Sequence, residues 1–563
     1  MNRRGPMTSK RFDELNERML KKHFEVNPHL ATQFGAHDPY DYHLPDGSGK
    51  RLTDTMDILD EWYAEASGIV AEERLTFDER ISFQVLRVAR DTHRFAIDDY
   101  PLWRMHPDAL EVPGYVFLVM LNREYWPLGR RMEALTSRIG EIPRYLREFR
   151  TRFDSPDSRP VRLWTDSAIS SCKGFPGFLD FLRTYIEGKI STGGIEHLQS
   201  AVEEAKREIE AHLEWLQEIR ERSVEDFHLG RERLTKLLRI RGLPYTPDEA
   251  LAIAQRYLAE MKRDKERIAK GMSRAGTVEA AYEIVRDDVA RNFDDVMSET
   301  HEIVQSAIDF LKKKNLVTLD SSAVLKIVET PSFMTDMVPT AATDLPAPFE
   351  NVPAGFYLQT PPKTEEELRA VWNHAMIVNT AVHEAYPGHF HQGVLSTPRP
   401  WMHQLLQMLM TADTMVTAYE TQEGWAHYCE RMMYDQGFDH NDASALIMLD
   451  GGIWRAVRVI YDVKLAYGEA SVEEMARLLA QEAGTPFSAA ESDVKNFTRT
   501  PGYPLSYLIG RHMVFELKRE LEETLGGGFD LRRFHDLLAS NGNLPFFLAR
   551  KAVMAGVGID AVI

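Results

Sequence analysis

The sequence predicts a mainly α-helical protein with a small β-sheet close to its chemistry. Three observations lead there. Helix-start signals recur along the chain, strand signals are confined to two short runs, and the composition suits a large core. Of 563 residues, 44% are hydrophobic and 27% charged, the balance of an ordinary globular protein.

The elements follow in order. Ile195 to Arg222 carries apolar residues at helical spacing with charges between, which reads as a solvated helix packing one face on a core. Thr246-Pro247-Asp248-Glu249 combines an N-cap, a first-turn proline and a capping-box glutamate, and opens a helix running to about Lys270. Thr277 is a further candidate cap, and Ser471 to Glu474 and Ser488 to Glu491 repeat the capping-box pattern. Ala323 to Glu329 and Gly355 to Thr360 read as strands, with Pro339 to Pro348 an irregular connection between them. Thr364 to Glu367 then starts a helix whose apolar face is Leu368, Val371, Trp372, Ala375, Val378 and Val382. A helix-compatible stretch follows from about Tyr419 to Gly437. The Met- and Leu-rich run Trp401 to Met410 reads as core. No repeat and no convincing linker divides the chain. Residues 1–320 form a helical scaffold part and 321–563 the part with the chemistry, in one integrated unit over about 10–560.

Composition excludes several classes. Lys+Arg 67 against Asp+Glu 86 leaves a net charge of −19, which argues against nucleic acid and anionic membrane surfaces as partners. No apolar run approaches the roughly 18–20 residues that span a bilayer, and the basic N-terminus is not followed by a signal-type apolar segment. The two cysteines, Cys172 and Cys429, are no disulfide framework and suit a reducing cytoplasm. A metal would have to be held by histidines and carboxylates.

The chemistry concentrates at His383-Glu384-Ala385-Tyr386-Pro387-Gly388-His389. The zinc-peptidase signature H-E-x-x-H places two imidazoles one helical turn apart, with the glutamate as general base. Here Pro387 occupies the position of the second histidine. Six residues of regular helix turn about 600°, or about 240° net, so an unbroken helix would point His389 away from His383. The two share an ion only if Pro387-Gly388 breaks the helix between them. Otherwise they are a core histidine and a helix-end histidine, and spacing alone does not choose. The best source of a third ligand is Tyr419 to Glu430, where Glu423, His427 and Glu430 share a helix face. That face is either a buried metal-binding face or a surface face with intrahelical pairs.

Five elements together resemble the DUF885 family, itself similar to the gluzincin metallopeptidases. The family pattern HExxPGHxxQ matches His383, Glu384, Pro387, Gly388, His389 and Gln392. Its EGWAxYxE matches Glu423, Gly424, Trp425, Ala426, Tyr428 and Glu430. RxxRxxxD is met by Arg455, Arg458 and Asp462, and P-G-x-x-x-S-Y-x-x-G by Pro501, Gly502, Ser506, Tyr507 and Gly510. A late F-H-D…G-x-L-P is met by Phe534 to Asp536 and Gly542 to Pro545. The chain departs from the family at Phe390-His391, where relatives often carry a second histidine directly, at His427, usually apolar, and at Tyr503, often glutamine. His391 and His427 receive no role.

The resemblance implies a zincin-like helical fold and one Zn2+ per chain, held by His383, His389 and Glu423, with Glu384 as general base. Tyr507, by its place in the family pattern, is a candidate oxyanion donor or else a core tyrosine. Arg458 and Arg511 are candidates to bind a substrate carboxylate, with Arg458 alternatively paired to Asp462. Glu420 and Glu430 are candidates to orient the ligand histidines. The expected activity is zinc-dependent hydrolysis of a peptide or small amide substrate, in the cytoplasm. A non-catalytic helical scaffold that binds peptides or proteins is the alternative, and an ester or non-peptide amide substrate is not separated from a peptide.

Overall fold

A computed structural model describes residues 9–186, 189–330, 335, 338, 340–399, 402 and 418–560. The chain is mainly helical. Eight helices build the first third: α1 (Lys10–Val26), α2 (Pro28–Gln33), α3 (Lys50–Glu72), α4 (Phe77–Arg94), α5 (Glu111–Asn122), α6 (Leu128–Arg150), α7 (Arg162–Ile186) and α8 (Thr192–Glu221). Then come α9 (Arg231–Ile240), α10 (Pro247–Met272), α11 (Val278–Asp287) and α12 (Phe293–Lys314). The expected caps form. Thr246 and Ser471 make complete capping boxes and Thr277 accepts from the Ala280 N–H. α8 buries Leu198, Val202, Ala205, Ile209, Leu216 and Ile219 along one face, and the rest is largely solvated.

The sheet follows α12. Strands β1 (Val324–Glu329) and β3 (Ala354–Gln359) lie where expected and pair in parallel. The connection between them is not wholly irregular: Ala341–Asp344 forms strand β2, antiparallel to β3, giving the order β1-β3-β2. Two alanines and a threonine carry little strand signal of their own. Long-range contacts fix this strand, since Arg123 at the end of α5 grips Asp344 through two hydrogen bonds of 3.0 Å.

The expected continuous helix from Thr364 to Glu384 is two helices, α13 (Glu365–Val371) and α14 (His374–Glu384). Asn373 divides them. Its side chain accepts from the Met376 N–H at 3.1 Å, starting a new helix rather than continuing the old one. After α15 (His389–Ser396) come α16 (Glu420–Gln436), α17 (Asp442–Tyr467), α18 (Val472–Ala483), α19 (Phe487–Phe497), α20 (Ser506–Leu525), α21 (Leu531–Ala539) and α22 (Phe546–Gly556). The box predicted at Ser488 is absent, because α19 starts beyond Pro486 and places Ser488 inside its first turn. Of the run Trp401 to Met410, Met402 is buried and the other residues lie outside the described ones.

The largest apolar core unites side chains from Phe12 to Val553, and so runs across the boundary drawn near residue 320. A second core joins α5–α8 to β3 through Leu358. Helices α14, α16, α17 and α20 pack together in the first core, and their polar residues meet beside β2. No described helix is long and apolar enough to cross a membrane.

Candidate metal centre

α14 ends just after His383, and the chain folds back on itself. Ala385 leaves helical geometry, the Tyr386–Pro387 peptide is cis, and α15 begins at His389. Gly388 lies so close to the last turn of α14 that any side chain there would strike the Val382 and His383 carbonyls. Trp425 of α16 secures the break by donating from Nε1 to the Pro387 carbonyl at 2.8 Å. The fold-back supplies what a regular helix denies, bringing the His383 and His389 rings to 4.7 Å between centroids, nearly perpendicular.

Glu423, in the first turn of α16, meets them. Its Oε2 lies 3.3 Å from His389 Nε2 and 3.7 Å from His383 Nε2. Ligand atoms about 2.0–2.2 Å from a tetrahedral zinc lie about 3.3–3.6 Å apart, so these spacings suit a shared ion. All three residues are buried. Among the described residues this is the one His/Cys/Asp/Glu trio whose ligand atoms fall within 4.8 Å of each other. Glu423 Oε2 makes no hydrogen bond within the protein. A buried carboxylate oxygen left without a donor is costly unless a cation faces it, so the donor set fits a divalent metal.

Surrounding groups set the charge. His383 Nδ1 is 2.7 Å from Glu430 Oε1, which turns Nε2 towards Glu423. Burial pulls the His383 pKa down, but Glu423 and Glu430 overcome it and lift it to about 9. Burial likewise opposes ionisation of Glu423, and the two histidines outweigh it and hold the carboxyl well below the usual carboxylate range. Glu430 is also lowered despite burial, mainly by Arg455, which pairs with it at 3.0 Å.

Glu384 is half-buried. The Thr343 hydroxyl of β2 contacts both its carbonyl, at 3.0 Å, and its Oε2, at 2.9 Å. Tyr507 lies in the first turn of α20, with its hydroxyl 3.3 Å from that of Tyr503. Tyr503 in turn donates to Glu423 Oε1 at 3.0 Å.

Several expected contacts are different. Glu420 is bonded not to a ligand histidine but to Arg241 at the α9 C-terminus, fully buried, where the guanidinium needs an anion. Arg458 is not bound to Asp462. It pairs with Asp493 of α19 at 2.5 Å and stacks between Phe497 and Tyr507, each 4.8 Å away. Its charge is thus already matched within the protein. Asp462 instead accepts from the Gly502 and Leu505 N–H groups, at 2.8 and 3.1 Å. Arg511 donates to His427 Nε2 at 3.1 Å. Burial, followed by Arg511, pushes the His427 pKa well below its ordinary value, so His427 is a neutral acceptor. His391 is fully enclosed with neither ring nitrogen bonded, and burial lowers its pKa to about 3. The face of Glu423, His427 and Glu430 is buried throughout, and the surface reading is excluded.

Sequence reasoning missed Thr343, Arg455, Asp493 and Tyr503 as members of the site. Arg455 and Tyr503 had been noticed only as a pattern match and a departure.

Among curated proteins none matches this chain in sequence. Two solved structures share the fold. One, described as "a putative lipoprotein of unknown function from Shewanella oneidensis", has a TM-score of 0.75 and 21% identity, covering 96% of this chain and 99% of its own. The other, "the putative lipoprotein from Colwellia psychrerythraea", has a TM-score of 0.82 and 17% identity, covering 97% and 98%. The family model described as "Bacterial protein of unknown function (DUF885)" matches residues 28–553, nearly the whole chain, and the protein therefore belongs to the DUF885 family.

Proposed function

We propose that this chain is a zinc-dependent, gluzincin-like hydrolase of peptide or other amide bonds. The observation that carries the reading is the convergence of His383 Nε2, His389 Nε2 and Glu423 Oε2 on one point. A zinc ion bound there would supply a Lewis acid that polarises a carbonyl and acidifies water.

The remaining chemistry belongs to the chain. Glu384 follows His383 directly but is not part of the trio, so its carboxylate is free to take up a proton and return it to a leaving amine. Thr343 fixes one of its oxygens and leaves the other available. Tyr507, which burial keeps a phenol, is a candidate donor to a developing oxyanion, provided that it turns its proton away from Tyr503. Arg458 is committed to Asp493, so Arg511 is the better candidate to recognise a substrate carboxylate. The intact Glu384 favours hydrolysis over a binding-only scaffold, which has no use for a general base. We place the protein in the cytoplasm on its cysteine usage. Both cysteines are buried and unpaired, and cell fractionation is the check, since two proteins of this fold are described as lipoproteins.

The test combines metal analysis with digestion of a peptide library read by mass spectrometry. Wild-type protein is expected to hold one zinc and to cleave. His383→Ala and Glu423→Ala should lose the metal, and Glu384→Gln should keep it and lose cleavage. Full metal in both ligand variants, or undiminished cleavage by Glu384→Gln, refutes the assignment.

A further inference from the structure

The two oxygens of Glu423 have different surroundings. Oε2 faces His389 Nε2 at 3.3 Å and His383 Nε2 at 3.7 Å. Oε1 accepts from the Tyr503 hydroxyl at 3.0 Å. A phenol has one proton to give. Because Tyr503 spends it on Glu423, the 3.3 Å contact between the two tyrosine hydroxyls has Tyr507 donating to Tyr503.

Tyr503 is held firmly enough to impose this. It lies in the turn before α20, and both flanking segments are pinned. Asp462 of α17 accepts from the Gly502 and Leu505 N–H groups, and Arg241 donates to the Gly502 carbonyl at 2.7 Å and to Ser506 at 2.9 Å. Gly502 sits at φ +83°, which favours glycine. The Tyr503 ring stacks on Phe497 at 5.5 Å and meets Tyr419 edge-on at 4.7 Å.

We propose that Tyr503 is a positioning residue that makes Glu423 a one-oxygen metal ligand, by occupying Oε1 and leaving Oε2 to the ion. The inference rests on the metal centre proposed above. With Oε1 engaged, the carboxylate cannot swing to chelate through both oxygens, so a coordination position stays open for water or substrate.

The experiment is chelator competition for Zn2+ together with the visible absorption spectrum of the Co2+-loaded protein, for wild type, Tyr503→Phe and Tyr507→Phe. Thermal unfolding of each metal-free form accompanies it. Tyr503→Phe keeps the ring and removes the hydroxyl. Its zinc affinity should fall about 10–100-fold and its Co2+ bands should shift, and its metal-free stability should fall too, because a buried carboxylate oxygen loses its donor. Tyr507→Phe, whose hydroxyl makes no contact with Glu423, should retain affinity within about threefold. Unchanged affinity and spectrum in Tyr503→Phe overturn the inference while leaving the metal centre standing. Loss of affinity with an unchanged Co2+ spectrum overturns it in favour of a purely structural role. A wild-type chain that takes up neither metal overturns the metal centre itself and this inference with it.

Discussion

Gly424 directly follows Glu423 and is where α16 comes closest to α20. A Cβ built on Gly424 would stand 2.6 Å from Gly510 Cα and 2.8 Å from the Gly510 carbonyl oxygen. The opposing glycine is in the same position, since its Cβ would lie 2.8 Å from Gly424 Cα. Carbon atoms pack at about 3.5–4.0 Å, so one methyl group requires the helices to part by roughly 1 Å. The obstacle is backbone, which cannot rotate away. Overpacking costs about 1–3 kcal/mol, and the better helix propensity of alanine returns about 0.5–1 kcal/mol. Gly424→Ala should therefore lose about 1–2 kcal/mol in urea denaturation of the metal-free chain. Gly68, exposed in α3 with nothing within 4 Å of its Cβ position, is the control, and Gly68→Ala should gain about 0.5–1 kcal/mol. Opposite signs for one substitution in two helices isolate the helix contact from propensity. The functional cost should exceed the stability cost. Glu423 rides on α16 while Tyr503 and Tyr507 ride with α20, and a misplacement near 1 Å is worth up to about 10²-fold in rate. A Gly424→Ala protein as stable as wild type, with undisturbed metal binding, would refute the reasoning.

Trp425→Phe deprives the buried Pro387 carbonyl of its indole donor, and should cost about 1–3 kcal/mol in urea denaturation; wild-type stability would show that the break between the histidines holds without it. His391→Leu replaces an enclosed imidazole with no bonded nitrogen. Because the folded pKa, about 3, lies below the ordinary value near 6.5, the wild type loses stability as pH falls below about 6.5. The slope is up to about 1.4 kcal/mol per unit, and the variant should be flatter between pH 6.5 and 4; parallel curves would sink the idea. His374, at the start of α14, has its pKa raised to about 9, chiefly by Asp439 and then by Glu299, against burial. A raised histidine stabilises fully below about 6.5 and loses that contribution as pH climbs through 9. His374→Gln should therefore be less stable than wild type at pH 6 and equal near pH 10, with a smaller gap in high salt because the ring is part-exposed. A gap that grows with pH would contradict the assignment.

Legibility in the sequence followed the range of the forces involved. Thr246, Thr277 and Ser471 were readable because an N-cap bonds to a backbone N–H two or three residues away, inside the motif itself. The parallel pair β1 and β3 was readable from β-branched and aromatic runs. Strand β2 was not, since Ala341-Ala342-Thr343-Asp344 is held by Arg123 from more than two hundred positions away. Asn373 shows the limit on the other side. The apolar periodicity from Leu368 to Val382 is real, yet a single capping side chain divides the helix that it predicts.

The site repeats the same lesson with higher stakes. His383 and His389 of the local motif, whose spacing left the matter open, converge with Glu423, which only the family resemblance singled out, and Glu430 reaches the ring of His383. What escaped were groups whose position depends on two separate parts of the fold. Thr343 reaches Glu384 only because β2 lies beside the end of α14. Asp493 reaches Arg458 only because α19 folds across α17. Arg458 is the instructive case: a carboxylate at i+4 was visible in the sequence, and the actual partner sits 35 positions on. Asp462 is unavailable because it is needed more urgently elsewhere. Two backbone N–H groups in the turn before α20 bond to it, and a buried backbone donor without a partner costs more than an exchangeable ion pair gains. That turn carries Tyr503. The choice made by Asp462 therefore fixes the turn whose tyrosine bonds Glu423, and an aspartate forty residues away becomes part of what holds the proposed metal ligand.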